Sequence, residues 1–94
     1  MYARLVRFSL GPGQRVLAQS VADDLPPLIA ALAGCQSVIV FGDHSDGQYG
    51  FFVVWDSEAN ANAAAAVIRP QLDQRIGGHL QSPTEARLFE VLSK

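Results

Sequence analysis

The spacing of apolar positions along the chain changes between two periods, and each change marks an element. Over residues 2–10 apolar side chains alternate loosely, with Tyr2, Val6, Phe8 and Leu10 on one parity and Ala3 and Leu5 on the other. Successive side chains of a strand point to opposite faces, so "ARLVRF" reads as a strand with apolar residues on both. Gly11-Pro12-Gly13 ends it. From Gln14 the period lengthens. Leu17, Val21, Leu25, Leu28 and Leu32 are spaced 4, 4, 3 and 4 residues apart, which is one stripe of a helix. Pro26 and Pro27 fall within it. Pro26 has no N–H for the carbonyl of Ala22, so the spacing predicts a kink or restart at "LPPLIAALAG", with Gly34 as the C-terminal stop.

"CQSVIVFG" and "QYGFFVVWD" follow as a second and a third strand. Phe51 to Trp55 are uninterruptedly apolar, which predicts burial on both faces. Ser57 is a good N-cap. Behind it Ala61, Ala65, Ile68, Leu72 and Ile76 repeat a spacing of 4, 3, 4 and 4, giving a second long helix that Pro70 should bend and Gly77-Gly78 should end. Beyond "HLQSPT" the alternation of "EARLFEVL" makes a fourth strand. Ser82-Pro83-Thr84-Glu85 matches a capping box, but the period of two behind it belongs to a strand.

The order strand–helix–strand–strand–helix–strand, with right-handed crossovers, predicts an α+β fold in one domain over residues 1–94. It is the ferredoxin-like βαββαβ plait, a four-stranded antiparallel sheet with both helices on one face. Two helices cover one face of that sheet, yet Phe52 and Val54 point away from Phe51, Val53 and Trp55. "SVIVF", expected at an edge, carries no charge. Such a surface would aggregate if left bare. A second copy packed sheet to sheet, closing an α/β barrel between the two, resolves the problem and predicts a homodimer.

"FGDHSDGQYG" between the second and third strands brings Asp43, His44 and Asp46 together. Asp46-Gly47 is a strong hairpin signal. A metal site would need a further ligand nearby, and the spacing does not fit a calcium loop. The stretch reads as a turn, and no metal is expected.

Composition narrows the function classes. The chain is 49% apolar and 17% charged, with a formal net charge of −2. It therefore folds, and some of its surface is expected to be covered by a partner. Its basic residues form no run, so neither nucleic acid nor a membrane surface is an expected partner. One cysteine, Cys35, leaves no internal disulfide and suits a reducing compartment. "MYARLVRFSL" is a poor secretory signal and no apolar run approaches a membrane span of about 20 residues. A cytoplasmic protein is expected.

Several residues carry candidate chemistry. Trp55, the single tryptophan, is a core aromatic at a strand end or one wall of an aromatic-ligand pocket. Phe51 shares its parity, as does Tyr49, whose hydroxyl could reach a cavity rim. Arg4 lies on a mostly apolar parity and Arg7 on the other. An unpaired buried charge is costly, so one of them is expected to pair with Glu90 or with the second copy. Alternatively an arginine orients an anionic or enolate-like ligand or stabilises charge in oxygen chemistry. His79, after Gly77-Gly78, could act as a general base or be an exposed loop histidine. Cys35 lacks a basic neighbour and reads as a structural thiol.

The chain resembles the small antibiotic-biosynthesis-monooxygenase-like domains of the dimeric α/β-barrel superfamily. The resemblance rests on the order of elements, on "MYAR" opening the first strand, on "LPPLIAALAGCQS" and on "GDHSDGQYGFFVVWDSEA". Its most specific part is Trp55-Asp56-Ser57-Glu58-Ala59. It implies a dimer with a cavity between sheet and helices in each subunit. Some members oxidise polycyclic aromatic substrates with molecular oxygen and no cofactor, others degrade haem, and others act on small signalling or quinone-like molecules. Aromatic oxygenases of this kind carry an asparagine four residues before the strand-three tryptophan, where this chain has Phe51. Where members have a histidine early in helix two, this chain has the run Ala63 to Ala66. The asparagine and tryptophan of haem degraders are also unmatched. The resemblance thus implies a homodimer that binds a hydrophobic or aromatic small molecule; of the ligand-binding candidates Arg4, Tyr49, Phe51 and Trp55, read from parity, only Trp55 matches the family. It suggests cofactor-independent oxygenation, for which the residues' own positions leave Arg4 and His79 as catalytic candidates, or else a non-catalytic ligand-binding, sensing or assembly dimer.

Overall fold

The computed structural model describes residues 1–93. Its elements follow the expected order: β1 (Tyr2–Ser9), α1 (Arg15–Ala30), β2 (Cys35–Asp43), β3 (Gln48–Trp55), α2 (Glu58–Ile76), a short 3₁₀ turn (Gly77–His79) and β4 (Glu85–Glu90). The strands form one sheet in the order β2-β3-β1-β4 with every neighbouring pair antiparallel. This is the ferredoxin-like α+β plait. β1 runs against β3 from Tyr2 opposite Trp55 to Ser9 opposite Gln48. It runs against β4 from Tyr2 opposite Glu90 to Arg7 opposite Glu85.

Parity decides what is inside. Val6 and Phe8 of β1 and Tyr49, Phe51, Val53 and Trp55 of β3 face the helices. They pack there with Val21, Leu25 and Ile29 of α1 and with Ala61, Ala64, Ile68, Leu72 and Ile76 of α2 in one core. No helix among the described residues is long and apolar enough to cross a membrane.

The punctuation differs from expectation in instructive ways. Neither proline site breaks its helix: α1 runs through Pro26 and Pro27, and α2 runs through Pro70. Each proline strips a partner from the carbonyl four residues earlier, but Val21, Leu25 and Ile29, all at 0% exposure, hold α1 on the sheet across the interruption. Tertiary packing, rather than the local hydrogen-bond ladder, keeps such a helix continuous. α1 ends at Ala30, and Gly34, with φ at +84°, turns the chain into β2 instead of capping the helix. α2 ends where Gly77 begins, yet Gly77 has a right-handed φ of −53°, so the helix stops by tightening into the 3₁₀ turn. β4 ends at Glu90, short of the alternation that suggested it; the Val91 N–H donates to the Met1 carbonyl at 2.9 Å.

The side of the sheet away from the helices is open. Ile39 and Phe41 of β2, Phe52 of β3 and Phe89 of β4 are all exposed there. Burial on both faces of β3 is therefore not met within one chain. β2 is an edge strand, as expected.

Candidate functional site

The site begins with the way α2 is launched. The Ser57 hydroxyl accepts the Asn60 N–H at 3.1 Å, and the Asp56 carboxylate accepts the Asn60 side-chain amide at 2.8 Å. The Asp56 N–H in turn donates to the Gly34 carbonyl at 2.9 Å. The tight Trp55–Glu58 corner thus aims α2 back over β3 and β1 with Ala61, Ala65 and Ile68 facing down. Alanines let the helix come close but do not fill the space beneath. A cavity of about 50 Å³ remains, floored by Val6, Phe51, Val53 and Trp55, roofed by Ala61, Ala65, Ile68 and Leu72, and reached at its sides by Thr84, Ala86, Arg4 and Arg69.

Arg4 occupies the helix-facing row of β1, where a charge cannot stay. Its chain passes the cavity and its guanidinium emerges beside α2, where Nη2 donates to Asn62 Oδ1 at 2.9 Å. Its Nε is buried without a partner. Burial first, and then the nearby Arg69 cation, lower the Arg4 pKa from its ordinary value. Arg4, Ala65 and Arg69 also line an open groove on the outer side, together with Asn62, Pro70 and Asp73. The two arginines therefore stand on the boundary between an apolar interior and a polar exterior.

Trp55 and Phe51, at 1% and 2% exposure, form the aromatic floor. Phe8 instead packs toward Tyr49, with ring centroids 6.1 Å apart. Tyr49 lies at the far end of β3, opposite Phe8, and is not on the cavity wall. Its hydroxyl and His44 Nδ1 share a hydrogen bond of 2.7 Å at the hairpin. His79 is exposed in the 3₁₀ turn and is likewise outside the cavity lining. Of the two partners expected for an arginine, Glu90 or a second copy, the Glu90 pairing is not met among the described residues. Arg4 goes to Asn62, and Glu90 sits opposite Tyr2, whose hydroxyl pKa it raises, with Glu58 adding to the effect. Arg7 is exposed on the open face, across from Glu85. Cys35 is half-buried, and burial pushes its thiol pKa up.

The acidic stretch is a hairpin turn. The Asp43 carboxylate accepts the Ser45 N–H at 2.9 Å and the Ser45 hydroxyl at 2.6 Å, while Asp46 accepts the Gln48 N–H at 3.1 Å. Those bonds hold the Asp43 pKa below its ordinary value. Among the described residues no group of three His, Cys, Asp or Glu side chains is placed to hold a metal ion.

Arg69 and Asn62 were not among the sequence candidates. The signal for Arg69 is positional. It follows Ala65 by four residues, so it extends the cavity-facing side of the alanine stripe by one turn.

A four-stranded antiparallel sheet carrying two helices, with an apolar cavity beneath the second, defines a ferredoxin-like α+β domain. Solved structures give that class a narrower description: the chain has the fold of antibiotic-biosynthesis-monooxygenase-like proteins. A protein of unknown function from Nitrosomonas europaea is 28% identical, with 99% of this chain and 90% of that one covered at a TM-score of 0.82. SnoaB, a cofactor-independent oxygenase from Streptomyces nogalater solved as its N63A mutant, is 18% identical over 99% of this chain and 94% of its own, at a TM-score of 0.77. A monooxygenase of Streptomyces coelicolor, from the gene ActVA-Orf6 and solved with nanaomycin D, is 18% identical over 99% and 88%, at a TM-score of 0.76. No protein-family model and no curated protein matches the sequence.

Proposed function

We propose that this chain is a homodimeric small-molecule-binding domain that takes a hydrophobic or aromatic ligand into the cavity between its sheet and α2. The observation that carries the reading is the composition of that cavity. An aromatic floor of Phe51 and Trp55 and an aliphatic roof favour apolar contact, and the polar side chains are confined to its margins. The homodimer is supported by the open sheet face. Its exposed apolar residues are Ile39, Phe41 and Phe52 on β2 and β3 with Phe89 on β4, interspersed at the β1–β4 side with Arg7, Arg87 and Glu85, a layout a two-fold axis can satisfy with itself.

A second reading is cofactor-independent oxygenation, favoured by the fold shared with SnoaB, which is described as such an oxygenase. The lining argues for binding over turnover. Removing a proton from a substrate needs a base, and Tyr49 and His79 stand away from the cavity, leaving Arg4, Arg69 and Thr84 as its polar neighbours. Oxygen consumption with hydroxylated naphthoquinones and anthrones, run beside titrations of ligands no larger than a single ring that follow Trp55 fluorescence, separates the two. Saturable binding without oxygen uptake is expected. Turnover that Arg4→Ala abolishes would instead establish the oxygenase.

A further inference from the structure

We propose that Arg4 and Arg69 together clamp one oxyanion, and that the ligand of this cavity is a compact hydrophobic monoanion. Its apolar body points inward and its charged oxygens lie where the cavity opens into the outer groove. The inference rests on the reading that the cavity binds a ligand.

Three observations carry it. The first is position, because Arg4 and Arg69 are the basic residues shared by the apolar cavity and the polar groove. A molecule spanning the two passes both side chains. The second is unused donor capacity. Arg4 gives one bond to Asn62, and its buried Nε–H has no partner. A buried donor left unmade is costly, and a carboxylate or phenolate arriving beside it would remove that cost. The third is the absence of neutralisation. The Arg69 cation acts on Arg4 with the same sign, and the salt bridge among the described residues joins Arg75 to Asp24 instead. Asp73 lines the outer groove and a second surface groove beside Arg69, but it does not line the cavity. Burial first, and the Arg69 cation second, lower the Arg4 pKa, and an anion at the junction would offset both.

The volume sets the ligand's size. About 50 Å³ admits a small branched group or the leading edge of one ring, not a fused ring system, since an engineered cavity that holds benzene measures roughly 150 Å³.

Benzoate and benzamide test this, being matched in shape and differing in charge. Each is titrated into the full chain at fixed ionic strength while Trp55 fluorescence is followed. Benzoate is expected to saturate the signal and to bind at least about tenfold more tightly than benzamide, as a charge-assisted bond implies. Arg4→Gln and Arg69→Gln are each expected to bring the two affinities within about threefold of one another. Arg69 is exposed on α2, so its substitution leaves the core intact even if Arg4→Gln misfolds. Equal binding of the two probes to the unsubstituted protein, or a preference that survives Arg69→Gln, would overturn the clamp while leaving the cavity reading standing. Failure of both probes to bind would overturn the clamp and the cavity reading together.

Discussion

Phe52 is the sharpest test of what covers the open sheet face. It stands in the middle of β3, with Ile39 opposite on β2 and Leu5 opposite on β1, and it is 36% exposed in the single chain. A phenylalanine buries roughly 200 Å² when fully covered, so the part still exposed is about 70 Å². At about 25 cal/mol per Å² that area is worth about 1.8 kcal/mol per ring. In an isologous dimer both rings are covered, and Phe52→Ala removes both, for a loss of about 3.5 kcal/mol. The dimer dissociation constant should then rise by a few hundred-fold at most, because interface area converts to affinity with losses. Sedimentation velocity over a dilution series measures this directly. Val16→Ser serves as the control, since Val16 is 85% exposed on α1, away from the sheet. A dissociation constant unmoved by Phe52→Ala, or equally weakened by Val16→Ser, would refute the sheet-to-sheet argument. A monomer at micromolar concentration would refute it before any substitution is made.

Other consequences are local. Gly13 and Gly47 both have positive φ, at +85° and +75°, but a Cβ on Gly13 meets nothing within 4 Å, whereas one on Gly47 would overlap the backbone carbonyl of Gly11. Gly13→Ala should cost about 1–2 kcal/mol of strain in urea unfolding and Gly47→Ala clearly more, and the reverse order would contradict the hairpin packing. Ser57→Ala should destabilise the domain by about 1 kcal/mol, with Ser57→Asp restoring most of it, because the hydroxyl caps the Asn60 N–H. Asp43 has a folded pKa below its unfolded value near 3.8. Its contribution is therefore fully present above that value and is lost as the pH falls through the depressed one. Urea midpoints taken on either side of pH 4 should show a small acid-side loss that Asp43→Asn removes.

How much of this was legible in the sequence depends on what each signal measures. Parity along β1 and β3 identified the inward side chains, and Trp55, Phe51 and Arg4 do meet at one cavity. Parity fixes a face but not a position along it. Tyr49 has the right parity and sits at the wrong end, six residues from Trp55, bonded to His44. Arg69 was missed because a helix stripe was traced through its apolar members, and the stripe's flank carries the residues that meet solvent at a cavity mouth. The restart expected as one outcome at Pro26 rested on local hydrogen bonding, which buried Val21, Leu25 and Ile29 on α1 override. The uncovered face of the sheet could be read from Phe52 and Val54, since no element remained to cover it.

The roof of the cavity has a property that its floor lacks. Ala61 and Ala65 have no side-chain torsions, so they cannot make room by changing rotamer, and Phe51 and Trp55 beneath are fixed by near-complete burial. At the Ala61–Ala65 end, away from the movable side chains of Ile68 and Leu72, a guest larger than the present space must lift the α2 backbone itself. Size discrimination would then be a step rather than a slope: each ligand in a graded series fits under the helix at no mechanical cost until one displaces it as a whole. From that member onward every ligand would bear the same penalty of separating α2 from the sheet.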